Sequence, residues 1–206
     1  MRIAILGARG TVGGYLFRTL QDKYTVTGIT RDDMDFRDVS SVHNFFKNNS
    51  FDIVINAAIN PHSSVDAPMS VAQDNFAMFT NLYAVKDMFG KCIHFASGAE
   101  FDQTKPIVNV REEDLFNIMP SDPYGMSKNV TTRIANCTEN WYTLRLFGVF
   151  HPSELPRRLL PKLKTNQDVK LIDKYFDYLY LEDLLPVVEN YINEVPKYKD
   201  MNLVYP

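Results

Sequence analysis

The sequence predicts an α/β fold: a Rossmann-like, doubly wound parallel sheet with a small C-terminal cap. Three observations carry this. Short runs that are apolar on both faces recur along the chain. Segments with helical spacing separate them. A glycine-rich turn joins the first run to the first helical segment. Strands of a parallel sheet read as continuous apolar runs because helices cover both sides of it. Their alternation with helices implies right-handed crossovers.

The first strand is RIAIL, and GARGTVGG follows from Gly7 to Gly14. Val12, Leu16 and Leu20 then fall at i, i+4 and i+8, the stripe of a helix packed on one face. YTVTGI is the second strand. Val42, Phe45 and Phe46 mark a second helix, with Ser40 or Ser41 as its cap. FDIVINAA is the third strand, and a long helix runs from about Ser70 to Phe89. KCIHFAS is the fourth strand and ends at Ser97. A helix after Pro123 carries Tyr124 and Lys128, and WYTLRLF is the fifth strand. Beyond LRLFGVFHP the pattern loosens. ELPRRLLPKLK reads as a short basic helix and DVKLID as a short strand. LYLEDLLPVVENYI returns to a packed helix with Asp183 as its cap, and MNLVYP is a last strand. The expected division is therefore 1–149 for the nucleotide-binding core, 150–174 for the cap and 175–206 for a return to the core.

Bulk properties exclude several classes. A chain of 206 residues, 45% of them hydrophobic, can bury one good core and is not disordered. Its net charge of -3 argues against a nucleic-acid partner, which needs a concentrated positive surface. Cys92 and Cys137 stand at no metal-ligand spacing, so neither a metal nor a disulfide framework is expected. No apolar stretch approaches the roughly 18–20 residues of a membrane helix, so no membrane contact is expected. Glycine breaks MRIAILG too early for a signal peptide, which makes a cytoplasmic protein the simplest reading.

Gly7, Gly10 and Gly13 form G-x-x-G-x-x-G between a strand and a helix, the context in which a glycine pattern gains meaning. The first permits a tight turn. The second lets the backbone approach a pyrophosphate, and the third lets the helix pack on the strand. The free N–H groups and positive dipole at the helix start favour an anion. Arg9, Thr11 and Val12 complete this candidate cofactor loop. At the end of the second strand an acidic residue would bind a ribose 2′-hydroxyl and an arginine a 2′-phosphate. The chain offers Thr30 and Arg31, with Arg9 close by in the turn, so two guanidinium groups can converge on one phosphate. NADP(H) is therefore preferred, and NAD(H) stays open because Asp32 and Asp33 follow directly.

Tyr124 and Lys128 stand at i and i+4 and share a helix face. A tyrosine near its ordinary pKa of about 10 is a poor base at neutrality, and a neighbouring ammonium would lower that value. Such a tyrosine can exchange a proton with a hydroxyl or carbonyl while a nicotinamide exchanges hydride. Ser97, at the carboxyl end of the fourth strand, can hold the reacting oxygen.

Together the glycine pattern, Asn56-Ala57-Ala58, Ser97, and Tyr124-x-x-x-Lys128 resemble the extended short-chain dehydrogenase/reductase family of NAD(P)-dependent sugar-nucleotide epimerases, dehydratases and reductases. LRLFGVFHP and YLYLEDLL are similar to further segments of that family, and Asn75 matches an asparagine of its central helix. GARGTVGG with TRDDMDFRDVSSVHNFF resembles GDP-L-fucose synthases. FDIVINAAI and FASGAEFD resemble dTDP-4-dehydrorhamnose reductases. The resemblance implies a catalytic set of Ser97, Tyr124 and Lys128, with Lys128 also holding the nicotinamide ribose. It implies cofactor contacts from Asn56, Ala57, Ala58 and Asn75, with Asp35 and Phe36 near the adenine. A substrate cap and a homodimer built on helices of one sheet face are implied as well.

The departures narrow the chemistry. Gly98 and Ala99 stand where family dehydratases carry Asp-Glu and where fucose synthases place an epimerising cysteine, so elimination and proton swaps beside a keto group are not expected. His151 is a loose counterpart of a second acid/base. Phe176 replaces an arginine that commonly binds the substrate diphosphate, for which Arg157, Arg158 or Lys174 are candidates. His62 and Ser63 lie on a loop that often borders the site. His94 alternates inside a strand as a core histidine, His43 reads as surface, and Arg145, flanked by apolar residues, needs a carboxylate partner or reaches the site edge. The expected function is reduction of a 4-keto sugar nucleotide. A sugar-nucleotide 4-epimerase and a non-catalytic NADP(H)-binding sensor or scaffold are the alternatives.

Overall fold

The computed structural model describes residues 1–60, 66–152, 159–165 and 177–205. Six parallel strands form the main sheet: β1 (Arg2–Leu6), β2 (Thr25–Ile29), β3 (Phe51–Asn56), β4 (Phe89–Ser97), β5 (Trp141–Leu146) and β8 (Asp200–Leu203). A separate two-stranded sheet pairs β6 (Val149–Phe150) with β7 (Leu179–Tyr180). The helices are α1 (Thr11–Leu20), α2 (Val39–Asn48), α3 (Met69–Ala84), α4 (Pro123–Asn136), α5 (Leu159–Lys164) and α6 (Leu181–Asn193).

The main sheet runs in the order β2-β1-β3-β4-β5-β8. The chain first moves outward from β1 to β2. It then crosses over β1 to β3 and continues in the other direction. This reversal opens a crevice at the carboxyl ends of β1 and β3, the place where ligands bind in such sheets. Gly7 and Asn56 stand on its two lips.

Strand alternation assigns the two faces. Ile3, Ile5, Ile53, Ile55, Ile93 and Leu144 pack under α1 and α6. Ala4, Leu6, Val54, Cys92 and Trp141 face α2, α3 and α4, where Phe46, Phe79, Leu82 and Ala135 meet them. Phe79 packs edge-on against Trp141 at 5.5 Å between ring centres and against His94 at 5.3 Å. The fold class and its five leading strands are those read from the sequence.

Several local expectations are corrected. The cap of α2 is Asp38, whose carboxylate accepts the Ser40 N–H at 2.8 Å, rather than Ser40 or Ser41. Ser41 instead accepts the Asp35 N–H at 3.0 Å. The long helix ends at Ala84, because the chain turns through Lys86–Met88 to start β4 at Phe89. Asp183 lies inside the first turn of α6 and accepts the Tyr205 hydroxyl, while the cap position is Tyr180. Leu159–Lys164 of the basic segment form α5, and residues 154–158 of that segment and DVKLID lie outside the described residues.

Candidate active site

Gly7 has φ of 80°, a left-handed conformation that side chains resist, and a Cβ there would meet the Ala57 carbonyl oxygen at 2.7 Å. A Cβ at Gly13 would approach the Gly7 oxygen to 2.4 Å. The turn is closed by the Gly10 N–H donating to Gly7 O at 2.8 Å, and it is tied to β2 by the Gly7 N–H donating to Ile29 O at 3.0 Å. Gly10 caps α1 without a side-chain oxygen, whereas α2 and α4 are capped by aspartates. The first turn of α1 therefore presents backbone donors to the crevice, as an anion site requires. The cradle that a Cβ would fill fits a dinucleotide pyrophosphate. Thr11 and Val12 are half-buried along it, and Arg9 is exposed.

The loop after β2 is more tightly engaged than its sequence indicates. Asp33 accepts both the N–H and the hydroxyl of Thr30, at 2.8 and 2.7 Å, and these bonds hold its carboxyl below the ordinary value. Arg9 pairs with Asp32 at 2.6 Å on the surface. Arg31, the residue before Asp32, is exposed. Asp35 accepts the Arg37 N–H at 3.0 Å, and Arg37 also approaches Asp74 at 3.5 Å. Phe36 is buried in the core below, leaving Asp35 half-buried at the rim.

Across the crevice, the Asn56 side chain accepts the Ala58 N–H at 3.3 Å and bonds His94 Nδ1 at 3.1 Å. Asn75 accepts the Asn60 N–H at 2.9 Å and donates to Ser127 Oγ at 3.1 Å, which ties the loop after β3 to α4. A small cavity bordered by Asn56, Asn75, His94 and Lys128 lies between these elements.

Ser97 ends β4 and Tyr124 opens α4, so the two side chains meet at the mouth of the sheet. The Ser97 hydroxyl accepts the Ala99 N–H at 3.3 Å and lies near enough to the phenol to favour its ionised form. Asp122 fixes the start of α4 by accepting the Gly125 N–H at 2.7 Å. Burial pushes the Tyr124 phenol up to about 12, opposed by the nearby Ser97 hydroxyl, with Glu100 and Asp122 adding to the rise. Lys128 is also buried, and its ammonium donates to Phe95 O at 2.6 Å and lies 3.5 Å from His94 Nε2. Burial pulls it down to about 8, opposed by Glu100. The expectation that Lys128 lowers the tyrosine is thus not met in this arrangement: the ammonium turns toward the strand and burial dominates the phenol. His94 is a buried core histidine, kept neutral by burial with help from Lys128 and Arg145.

Gly98 also has a steric reason, because a Cβ there would lie 2.4 Å from the Phe147 ring. No acidic side chain can follow Ser97 unless that ring moves. Arg145 has its carboxylates, Glu100 at 2.8 Å and Asp200 at 2.9 Å. His151 packs against Tyr15 at 5.5 Å and stacks on Tyr180 at 6.2 Å, with Glu182 3.8 Å away. His62, Ser63, Arg157, Arg158, Lys174 and Phe176 lie outside the described residues. Sequence reasoning missed Glu100, although S-x-x-E at Ser97 is a capping-box spacing, which the structure forms. It also missed Arg37, which joins Asp35 to Asp74.

The sequence pattern of the NAD dependent epimerase/dehydratase family matches residues 3–203. The chain belongs to this family. A dTDP-4-dehydrorhamnose reductase of Burkholderia thailandensis is 26% identical over 184 residues, covering 85% of the present chain and 60% of that protein. The chain thus spans less than two thirds of that relative's length. Among solved structures, a GDP-L-fucose synthetase from Naegleria fowleri bound to NADP superposes with a TM-score of 0.81 at 16% identity, over 100% of this chain and 77% of that one. A dTDP-4-dehydrorhamnose reductase from Clostridium acetobutylicum gives 0.76 at 21%, over 100% and 75%. At these identities the structural likeness is one of fold. Among the described residues no helix is long and apolar enough to cross a membrane, and no cluster of His, Cys, Asp and Glu could hold a metal.

Proposed function

We propose that the chain is an NADP(H)-dependent oxidoreductase that reduces the 4-keto group of a sugar nucleotide. The observation that carries this is the Ser97–Tyr124 pair at the carboxyl end of β4, across the crevice from the glycine cradle. With a pKa near 12, Tyr124 is a phenol throughout the neutral range and suits proton donation to a developing alkoxide. Ser97 would hold that oxygen, and Lys128 would orient the nicotinamide ribose once released from Phe95 O. Bound NADPH would supply the hydride.

The 2′-phosphate preference has support in the second loop. Of the two acids that could favour NAD(H), Asp33 is engaged by Thr30 and Asp32 by Arg9, which leaves Arg31 open to a phosphate. Gly98 and Ala99 supply no acid or base beside Ser97, which favours reduction over elimination. Family relatives support the nucleotide-sugar class. A homodimer through the adjacent helices α3 and α4 and a cytoplasmic setting belong to the same proposal.

The test is NADPH consumption with GDP- and dTDP-linked 4-keto-6-deoxy sugars. A reductase oxidises one NADPH per product, whereas an epimerase interconverts the nucleotide sugars without net consumption. Absence of turnover with both, in protein that binds NADPH, would overturn the reading.

A further inference from the structure

Glu100 is a fully buried carboxylate beside Ser97, and its two oxygens are divided between two tasks. Oε1 accepts the Ser97 N–H at 3.1 Å and the Thr132 hydroxyl at 2.8 Å. Oε2 accepts Arg145 Nε at 2.8 Å. Thr132 lies one turn beyond Lys128 on α4, so a single carboxylate touches the strand end that carries Ser97 and the helix that carries Tyr124 and Lys128. Arg145 continues the chain of contacts to Asp200 at 2.9 Å and Asn202 at 2.7 Å on β8. A buried ion pair is often no more stabilising than well-packed apolar residues of similar volume, so stability alone does not account for this one. Its geometry does something an apolar pair cannot, which is to fix the spacing between two elements through directed bonds.

We propose that Glu100 is a positioning residue: it clamps Ser97 to α4 and so sets the distance and angle between the Ser97 and Tyr124 side chains, with Arg145 holding the clamp in place. The kinetic part rests on the reductase reading, and the geometric part does not.

Two double variants separate the clamp from the charge. Both E100Q/R145M and E100L/R145M lack the ion pair. The glutamine retains a carbonyl oxygen that can accept from Ser97 and Thr132, and the leucine does not. Each is compared for thermal stability and NADPH affinity, for hydrogen exchange of the Ser97 amide, and for the Tyr124 13Cζ resonance. Exchange of the Ser97 amide is expected to be about tenfold or more faster in the leucine variant than in the glutamine variant. The Tyr124 resonance should move with it. With the 4-keto-6-deoxy sugar nucleotides as probes, kcat should fall by about tenfold to a hundredfold in the leucine variant while KM changes little, and the glutamine should recover most of it. Thr132→Val, which leaves the ion pair in place, should shift the same two signals to a smaller degree and decides the question if the double variants do not fold. Equal Ser97 protection and an unmoved Tyr124 resonance in the leucine and glutamine variants would overturn the proposal, as would a Thr132→Val protein indistinguishable from wild type. If wild type turns over neither probe, the reductase reading fails and the exchange and resonance measurements still decide on the clamp.

Discussion

Lys128→Met removes a buried ammonium while keeping an unbranched apolar stem. In the native protein burial draws this group from its ordinary 10.5 down to about 8, with Glu100 opposing and Arg145 adding to the fall. The unfolded chain keeps the proton up to about 10.5. Between these values the unfolded state binds more protons than the native state, so wild-type stability rises with pH across that window. Below about pH 8 both states are protonated and the contribution is flat. The gap from about 8 to 10.5, at about 1.4 kcal/mol per pH unit, amounts to about 3 kcal/mol. Tyr124, raised to about 12, leaves this window untouched until the unfolded phenol ionises near 10, and it does so in both proteins. Urea titrations of wild type and variant at several pH values from 7.5 to 10 provide the assay. The stability difference, wild type minus variant, should climb by about 2–3 kcal/mol over that range. Parallel curves would show that Lys128 is not a desolvated ammonium, and the electrostatic description of the site would fall with it.

Other outcomes follow from the same contacts. Gly13→Ala places a Cβ 2.4 Å from a backbone oxygen that cannot yield cheaply, so it should lose about 1–3 kcal/mol in denaturation and bind NADPH more weakly in a fluorescence titration. Arg31→Ala should lower kcat/KM with NADPH far more than with NADH; an equal loss would sink the 2′-phosphate assignment. A thiol reagent should label Cys137, which is exposed, rapidly in native protein and reach Cys92 only on unfolding, since that thiol is buried and burial pushes its pKa up.

The main sheet was legible because β1, β3, β4 and β5 are buried largely on both faces, which leaves mostly apolar runs, while the edge strand β2 is only partly buried and is read from its place in the alternation. Tyr124 and Lys128 were legible because i and i+4 spacing survives into the helix unchanged. The direction in which Lys128 points was not, since Phe95 O and His94 come from a strand more than thirty residues away. Arg9 and Asp32 illustrate the same limit: the sequence reads Arg9 as a phosphate ligand and Asp32 only as a reason to keep NAD(H) open, and their mutual pairing depends on how two loops lie side by side. Asp38 displaced the serines as the cap of α2 because the helix starts at Val39, two residues earlier than a Ser40 cap implies. Glu100 was hidden differently. Its S-x-x-E spacing was visible, yet only the meeting of Thr132 and Arg145 at its oxygens reveals what the carboxylate joins.

Single-turnover oxidation of bound NADPH by a 4-keto-6-deoxy sugar nucleotide, in wild type and in Tyr124→Phe, tests the proposed reaction most directly. The phenylalanine variant should bind NADPH as wild type does and transfer hydride about 10²–10⁴-fold more slowly, the usual scale of a lost general acid. Equal rates in the two proteins would contradict the assignment of Tyr124 as the proton donor.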